Sequence, residues 1–292
     1  MSLVHIGISL AFVAMLSWGV GDFFIQRSVR KVGDWEALFF VAFFGVLFLL
    51  PFCYKTIVPV FVGNLEAILV ITILCVVLFI AAILDFEALR VCKLATVEPI
   101  WSFEVPVSAL LAFLIIGEKI NLFQILLIIS LLIGLALVSL KNNFNFHKFI
   151  FEKGTIIAFF AAVLMGGANF LMGWSSRLSD PITANFLSDI FIVIITGLYL
   201  LFTGRFTNLL RDFKTNKKIL LFMSIPDKVA WVAFAFAMSL APIAIVVALS
   251  ESYIIIAVIL GLAINKEKIK SHQKFGLILA LFSAIVLASV TN

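Results

Sequence analysis

The sequence predicts an all-α integral membrane protein, built from ten transmembrane helices arranged as two inverted five-helix repeats. Three observations carry that reading. Of 292 residues, 64% are hydrophobic and only 13% charged, against about a quarter charged in a soluble domain, and the mean hydropathy is +1.23. The apolar residues gather in runs of about 20, the length that crosses a bilayer as a helix, without the alternation of barrel strands. The chain also repeats itself, with a charge pattern that an inverted second copy explains.

The predicted spans are 4–26, 35–54, 65–91, 95–116, 121–140, 154–175, 182–203, 219–240, 242–265 and 273–290. Polar stretches such as "RSVRKVGDW", "GEKIN" and "GRFTNLLRDFKTNKK" separate them. A first repeat covers 4–140, a polar linker 141–153 and a second repeat 154–290. Residues 88–124 align without a gap on 237–273, so that Glu118 meets Glu267 and Gln124 meets Gln273. Residues 19–30 resemble 166–177 and set Asp22 opposite Asn169. Five spans is an odd number, so the second copy enters the membrane upside down. Lys/Arg counts in corresponding loops agree, at 3 and 1, 1 and 5, 2 and 0, 1 and 4. Inverted repeats are characteristic of secondary transporters. With no basic segment before it and no cleavage pattern, Val4 onward reads as a first span rather than a signal peptide.

Other classes fit less well. The net charge of +5 lies mostly in short loops and sets orientation; it does not point to nucleic acid. Cys53, Cys75 and Cys92 are scattered small packing residues, and His5, His147 and His272 lie near segment ends, so neither a disulfide nor a metal cluster is expected. No cofactor motif is present. There is no HExxH, CxxC, Gly-rich phosphate loop or Ser-His-Asp set, and the chain reads as no enzyme. An intramembrane hydrolase built on Ser/Lys or paired acids, and a channel, are the alternatives of another class. A repeated, inverted architecture suits alternating access better than one-sided chemistry, and charges gathered near mid-depth suit an occludable site better than a pore.

Two five-helix copies, each with a fourth span ending in acid-base punctuation ("GEKI", "KEKI"), resemble the EamA-type transporters of the drug/metabolite transporter superfamily. The best match is "EPIWSFEVPVSALLAFLIIGEKINLFQ", and Glu118, Gln124 and Gly134, with Glu267, Gln273 and Gly276, follow the family's helix four-to-five pattern. "SWGVGDFF" resembles its Trp-Gly in the first helix. Leu127 and Ser283 stand where glycines are common. The resemblance implies a basket of helices around a central cavity, lined by spans 1, 3, 4 and 6, 8, 9, with spans 5 and 10 as scaffold. It also implies export or exchange of small metabolites such as amino acids, with a lipid-linked sugar or lipid translocator as the alternative. Expected partners are the lipid bilayer and a small-molecule substrate, with a proton as coupling ion; the choice between monomer and homodimer stays open.

Charges inside spans cost about 2.5–3.5 kcal/mol each at the helix centre, so they mark candidate sites. Glu98, Trp101, Glu104 and Ser108 share one face of the fourth span. Glu251 sits at similar depth in the ninth, beside Tyr253, and falls opposite Ser102 in the repeat. Trp18 and Asp22 share a face of the first span, and Asn169 is Asp22's counterpart. Asp227, Lys228 and Trp231 cluster in the eighth, where Lys228 is expected to hold Glu104 or Glu251. These ten residues (Glu104, Glu251, Lys228, Asp227, Trp101, Trp231, Tyr253, Asn169, Asp22 and Trp18) are the expected substrate-binding or proton-coupling set. Pro226, Pro99 and Pro106 remove backbone donors and are expected hinges. Asp85 and Glu87 precede Arg90 and Lys93 and read as an interfacial salt-bridge cluster; Asp189 reads equally as packing or function; Glu118 and Glu267 read as structural.

Seventeen of the 21 lysines and arginines fall in or beside the loops after the first, third, fifth, seventh and ninth spans; the opposite loops hold Lys55, Lys119 and Arg177. The positive-inside rule then puts both termini outside a multi-pass protein of the cell membrane, against the family's usual orientation.

Overall fold

The computed structural model describes residues 2–92, 100–139, 153–253, 255–256 and 270–291. The linker up to residue 152, Glu98 and Pro99, and the end of the ninth span with Glu267 lie outside them. The helices are α1 (Leu3–Val32), α2 (Asp34–Cys53), α3 (Ile57–Gly63), α4 (Leu65–Val91), α5 (Glu104–Ile116), α6 (Leu122–Ser139), α7 (Lys153–Leu178), α8 (Pro181–Phe202), α9 (Phe206–Leu240), α10 (Ile243–Ser250) and α11 (Ser271–Val290), with a single 3₁₀ turn at Glu251–Tyr253. No strand occurs among the described residues. Seven of the described helices are long and apolar enough to cross a membrane; α5, α6 and α10 with its turn are shorter apolar helices.

Starts and stops follow local chemistry. Asn64 accepts a hydrogen bond from Ala67 N at 3.0 Å and opens α4; Asp180 accepts from Thr183 N at 2.9 Å and opens α8, with Pro181 in its first turn. Gly33 turns α1 into α2 at φ 103°, a backbone conformation that suits glycine. One expected loop is a helix instead. "GRFTNLLRDFKTNKK" becomes helical from Phe206 and departs from helical dihedrals only at Asn216 (φ −119°, ψ 15°). After Gly204 it contains no helix breaker, and it has an anchor: Leu209 is buried and the Phe213 ring packs 6.1 Å from Phe40 of α2.

The packing has approximate twofold symmetry between the halves. α1 packs along α9 as α4 packs along α7, α2 pairs with α8, and α6 with α11. The register that sets 19–30 on 166–177 also sets Gly7 on Gly154. A Cβ on Gly7 would stand 2.9 Å from the Ala241 Cβ, and one on Gly154 would collide with the Cys92 Sγ; Cys92 and Ala241 are themselves repeat partners. Arg30 and Arg177 are equivalent as well. Arg177 Nη2 donates to Ala241 O at 2.9 Å, and Arg30 Nη2 donates to Cys92 O. Each arginine thus satisfies a carbonyl left free at the C-terminus of the third spanning helix of a repeat.

The α6–α11 pair is closed by glycines. A Cβ on Gly134 would lie 2.7 Å from Ala280 N and 2.8 Å from Gly276 O. Side-chain amides seal both ends, Gln273 Nε2 on Val138 O at 3.0 Å and Gln124 Nε2 on Thr291 Oγ1 at 3.4 Å. Gly134→Ala is therefore expected to lower the thermal stability of the purified protein by about 1–3 kcal/mol. Gly197→Ala, whose Cβ would meet Phe39 at an ordinary 3.5 Å, should leave it unchanged or slightly raised. Equal melting of Gly134→Ala and the wild type would contradict the close-contact account.

Candidate functional site

A cavity of about 100 Å³ lies within the bundle between the repeats. Trp18, Asp22, Trp101, Glu104, Asn169, Asp227, Lys228, Trp231, Glu251 and Tyr253, the ten side chains singled out from the sequence, all line it. So do Asp85 and Asp189, which the sequence reading left outside the set.

The fourth span of each repeat loses regular α-helix at the cavity. Residues 102–103 form a turn ahead of α5, and Glu251–Tyr253 form the 3₁₀ turn after α10. Glu251 is the repeat partner of Ser102, so the two irregular stretches are equivalent. Small residues let these stretches approach the first helices. A Cβ on Gly166 would meet Glu104 O and Val107 Cβ at 2.8 Å; one on Gly19 would meet Tyr253 O at 3.5 Å and Ile256 Cβ at 3.3 Å. Glu104 and Tyr253 are repeat partners, as are Val107 and Ile256. Both halves thus make the same backbone contact and place different chemistry on it. Glu104 accepts a hydrogen bond from Asn169 Nδ2 at 2.8 Å; Tyr253 and Asp22 occupy the corresponding places in the other half.

The same symmetry exposes a contrast between two walls. Asn185, Ser188 and Asp189 on α8 correspond to Leu38, Val41 and Ala42 on α2. Asp227 and Trp231 on α9 correspond to Leu78 and Ala82 on α4. All ten line the cavity. The second repeat supplies a polar wall and the first an apolar one. Aromatic rings brace the polar side: Trp18 meets Trp231 edge-on with centroids 5.5 Å apart, and Phe234 packs on both.

Lys228 is not held by Glu104 or Glu251, as the sequence suggested, but by Asp189. Its Nζ donates to Asp189 Oδ1 at 2.8 Å and stands 2.7 Å from Oδ2. The two side chains are only 7% and 6% exposed. Adjacent residues on a helix diverge by about 100°, so Lys228 reaches α8 while Asp227 faces Trp18. Room for the pair comes from Gly45 on α2, where a Cβ would collide with the Asp189 carboxylate and lie 2.6 Å from Lys228 Cε. Glu104 lies within electrostatic reach of Glu251, Asp85 and Asp22. Glu87, by contrast, turns away from Asp85 and pairs with Arg90 at 2.6 Å. The backbone keeps helical dihedrals at Pro226. Pro106 falls in the first turn of α5, where a missing N–H leaves no intrahelical bond unmade.

Ion pairs fasten both ends of the bundle. Arg205 grips Glu36 through two hydrogen bonds, at 2.9 and 2.6 Å. At the opposite end Arg177 Nη1 donates to Glu118 Oε2 at 2.9 Å while its Nε donates to Met238 O at 2.8 Å.

The sequence profile of the EamA-like transporter family matches residues 5–140 and 152–289. No curated protein sequence matches the chain. A crystal structure of another protein superposes with a TM-score of 0.74 over 98% of this chain and 97% of its own length, at 13% identity; at that identity the likeness speaks for the fold alone.

Removing one partner of a buried ion pair strands the other charge, at a cost of about 3–5 kcal/mol. Lys228→Met is therefore expected to lower thermal stability strongly, Asp189→Asn likewise, and the double variant to recover much of the loss. Gly45→Ala should mimic the single variants by displacing the pair. Additive losses in the double variant would contradict the pairing.

Proposed function

The chain belongs to the EamA-like transporter family, and from that premise we propose that it is a secondary transporter. In this reading it is an exporter or exchanger of small metabolites such as amino acids, working by alternating access across the cell membrane. The observation that carries the proposal is the charged cavity between two pseudo-symmetric halves, bounded in each half by an interrupted fourth span. Discontinuous helices meeting at a repeat interface are how many transporters expose backbone and side chains to a substrate within the bilayer. Ion pairs at both ends supply contacts that can be made and broken as the halves rock. A cavity of about 100 Å³ favours a small metabolite over a lipid-linked sugar. The full count of ten spans, with α5, α6 and α10 crossing alongside the seven long helices, belongs to this proposal. So does the coupling of transport to a proton carried by Glu104 or Glu251, and the hinge role of Pro226.

Two measurements test it. In proteoliposomes, Glu104→Gln or Glu251→Gln should reduce transport at least tenfold with insertion unchanged, a factor that needs about 1.4 kcal/mol of lost transition-state stabilisation. A double Gln variant that transports like the wild type would remove both acids from the mechanism. For orientation, a cysteine placed beside Lys214 in a background lacking Cys53, Cys75 and Cys92 should resist an impermeant reagent applied outside intact cells, since the basic loops are expected inside. Labelling from outside would reverse the topology.

A further inference from the structure

The cavity wall is lopsided in charge. Among its described lining residues six carry a carboxyl (Asp22, Asp85, Glu104, Asp189, Asp227 and Glu251) and Lys228 alone carries an amine. That amine is engaged by Asp189 and also acts on Asp227. The remaining acids act on one another: Glu104 on Glu251, Asp85 and Asp22, and Asp85 on Asp227. Buried carboxylates are tolerated when a partner compensates them, and Lys228 is the one basic side chain among the described lining residues.

A second observation concerns the aromatic rings of the same wall. Trp101 is only 4% exposed, lines the cavity and turns its side-chain N–H toward the Asp85 carboxyl. The rings of Trp18, Trp101, Trp231 and Tyr253 around the same space offer faces that attract ammonium groups. The charges are also spread. Among the described residues no three acidic, cysteine or histidine side chains are grouped to hold a metal ion. A distributed ring of carboxyls suits a ligand whose positive charge is itself distributed.

We infer that the cavity selects organic cations, and that its preferred substrates are small aliphatic chains carrying two separated ammonium groups. The opposite, apolar wall of Leu38, Val41, Ala42, Leu78 and Ala82 packs the methylene chain between the charges. This rests on the transporter reading for its purpose and on the cavity for its chemistry. The expectation also departs from a site in which Lys228 receives a substrate carboxylate, because Asp189 already occupies that lysine.

A series of graded charge tests it: cadaverine, lysine (cadaverine with one added carboxylate), 5-aminopentanoate and glutarate, each titrated against the purified wild-type protein by thermal shift. A ligand that binds the folded state raises its apparent stability with occupancy. Apparent affinity should fall in the order written, with cadaverine at least about tenfold tighter than 5-aminopentanoate and glutarate without effect. Asp85→Asn should weaken cadaverine about tenfold and change 5-aminopentanoate less than about twofold. Equal or tighter binding of 5-aminopentanoate or glutarate would overturn the inference, as would no stabilisation by any of the four. If cadaverine stabilises the protein yet proteoliposomes move none of the series, the transporter reading fails while the cation site stands.

Discussion

A charge inside a lipid-embedded bundle needs a partner, a wet cavity or a proton, and this constraint organises the molecule from its centre outward. Lys228 and Asp189 answer it with each other. Their pairing fixes where α8 and α9 meet and demands a glycine at position 45 on α2, so three helices converge on one ion pair. The other acids answer it by facing the cavity. Without the cavity these carboxyls would lie in an apolar bundle where an intramembrane charge is costly. The cavity is therefore as much a requirement of the sequence as a consequence of the packing.

Around that centre the twofold relation between halves does two jobs. At the backbone level it is faithful: Gly7 and Gly154, Gly19 and Gly166, Arg30 and Arg177 make matching contacts on matching neighbours. A bundle built this way has two closely similar ways of closing, one at each end, which is what the proposed alternating access requires. At the side-chain level the symmetry is broken. Leu38, Val41 and Ala42 correspond to Asn185, Ser188 and Asp189 across the pseudo-axis, so the two walls of the cavity differ in chemistry while the backbone scaffold repeats. The glycine-lined α6–α11 pair stands apart from the cavity and ties the last helices of the two repeats.

Much of this was legible in the sequence because charges within apolar runs are rare and each requires a reason. Glu104, Glu251, Asp227 and Lys228 stand out on that ground, and the gapless repeat sets Asp22 on Asn169. What escaped was information that sequence spacing does not hold. The partner of Lys228 lies on another helix, and Gly45 matters only once that pair is in place. In sequence Asp85 reads with Glu87, Arg90 and Lys93 as one cluster, yet residues two apart point to nearly opposite faces of a helix; that spacing is the available signal. The helical start of α9 was masked by its polar composition, although Leu209 and Phe213, one turn apart, already formed an apolar edge. Pro99 and Pro106 announce a loosened fourth span around "IWSFE", whereas nothing in "LSESY" marks the interruption that tertiary packing imposes on the ninth.

The central claim is that the cavity between the repeats opens to each side of the membrane in turn. Ser188 lines it and is buried on α8; Ser130 lies instead in the α6–α11 seam, accepting a hydrogen bond from Ser283 Oγ at 3.0 Å. The direct measurement is labelling of Ser188→Cys, in a background free of Cys53, Cys75 and Cys92, by an impermeant thiol reagent applied to one face or the other of oriented membranes. The account expects labelling from either face, slowed by bound substrate, with no ionic conductance, and no labelling of Ser130→Cys from either. Labelling of Ser188→Cys from one face only, or from both together with a steady conductance, would contradict it.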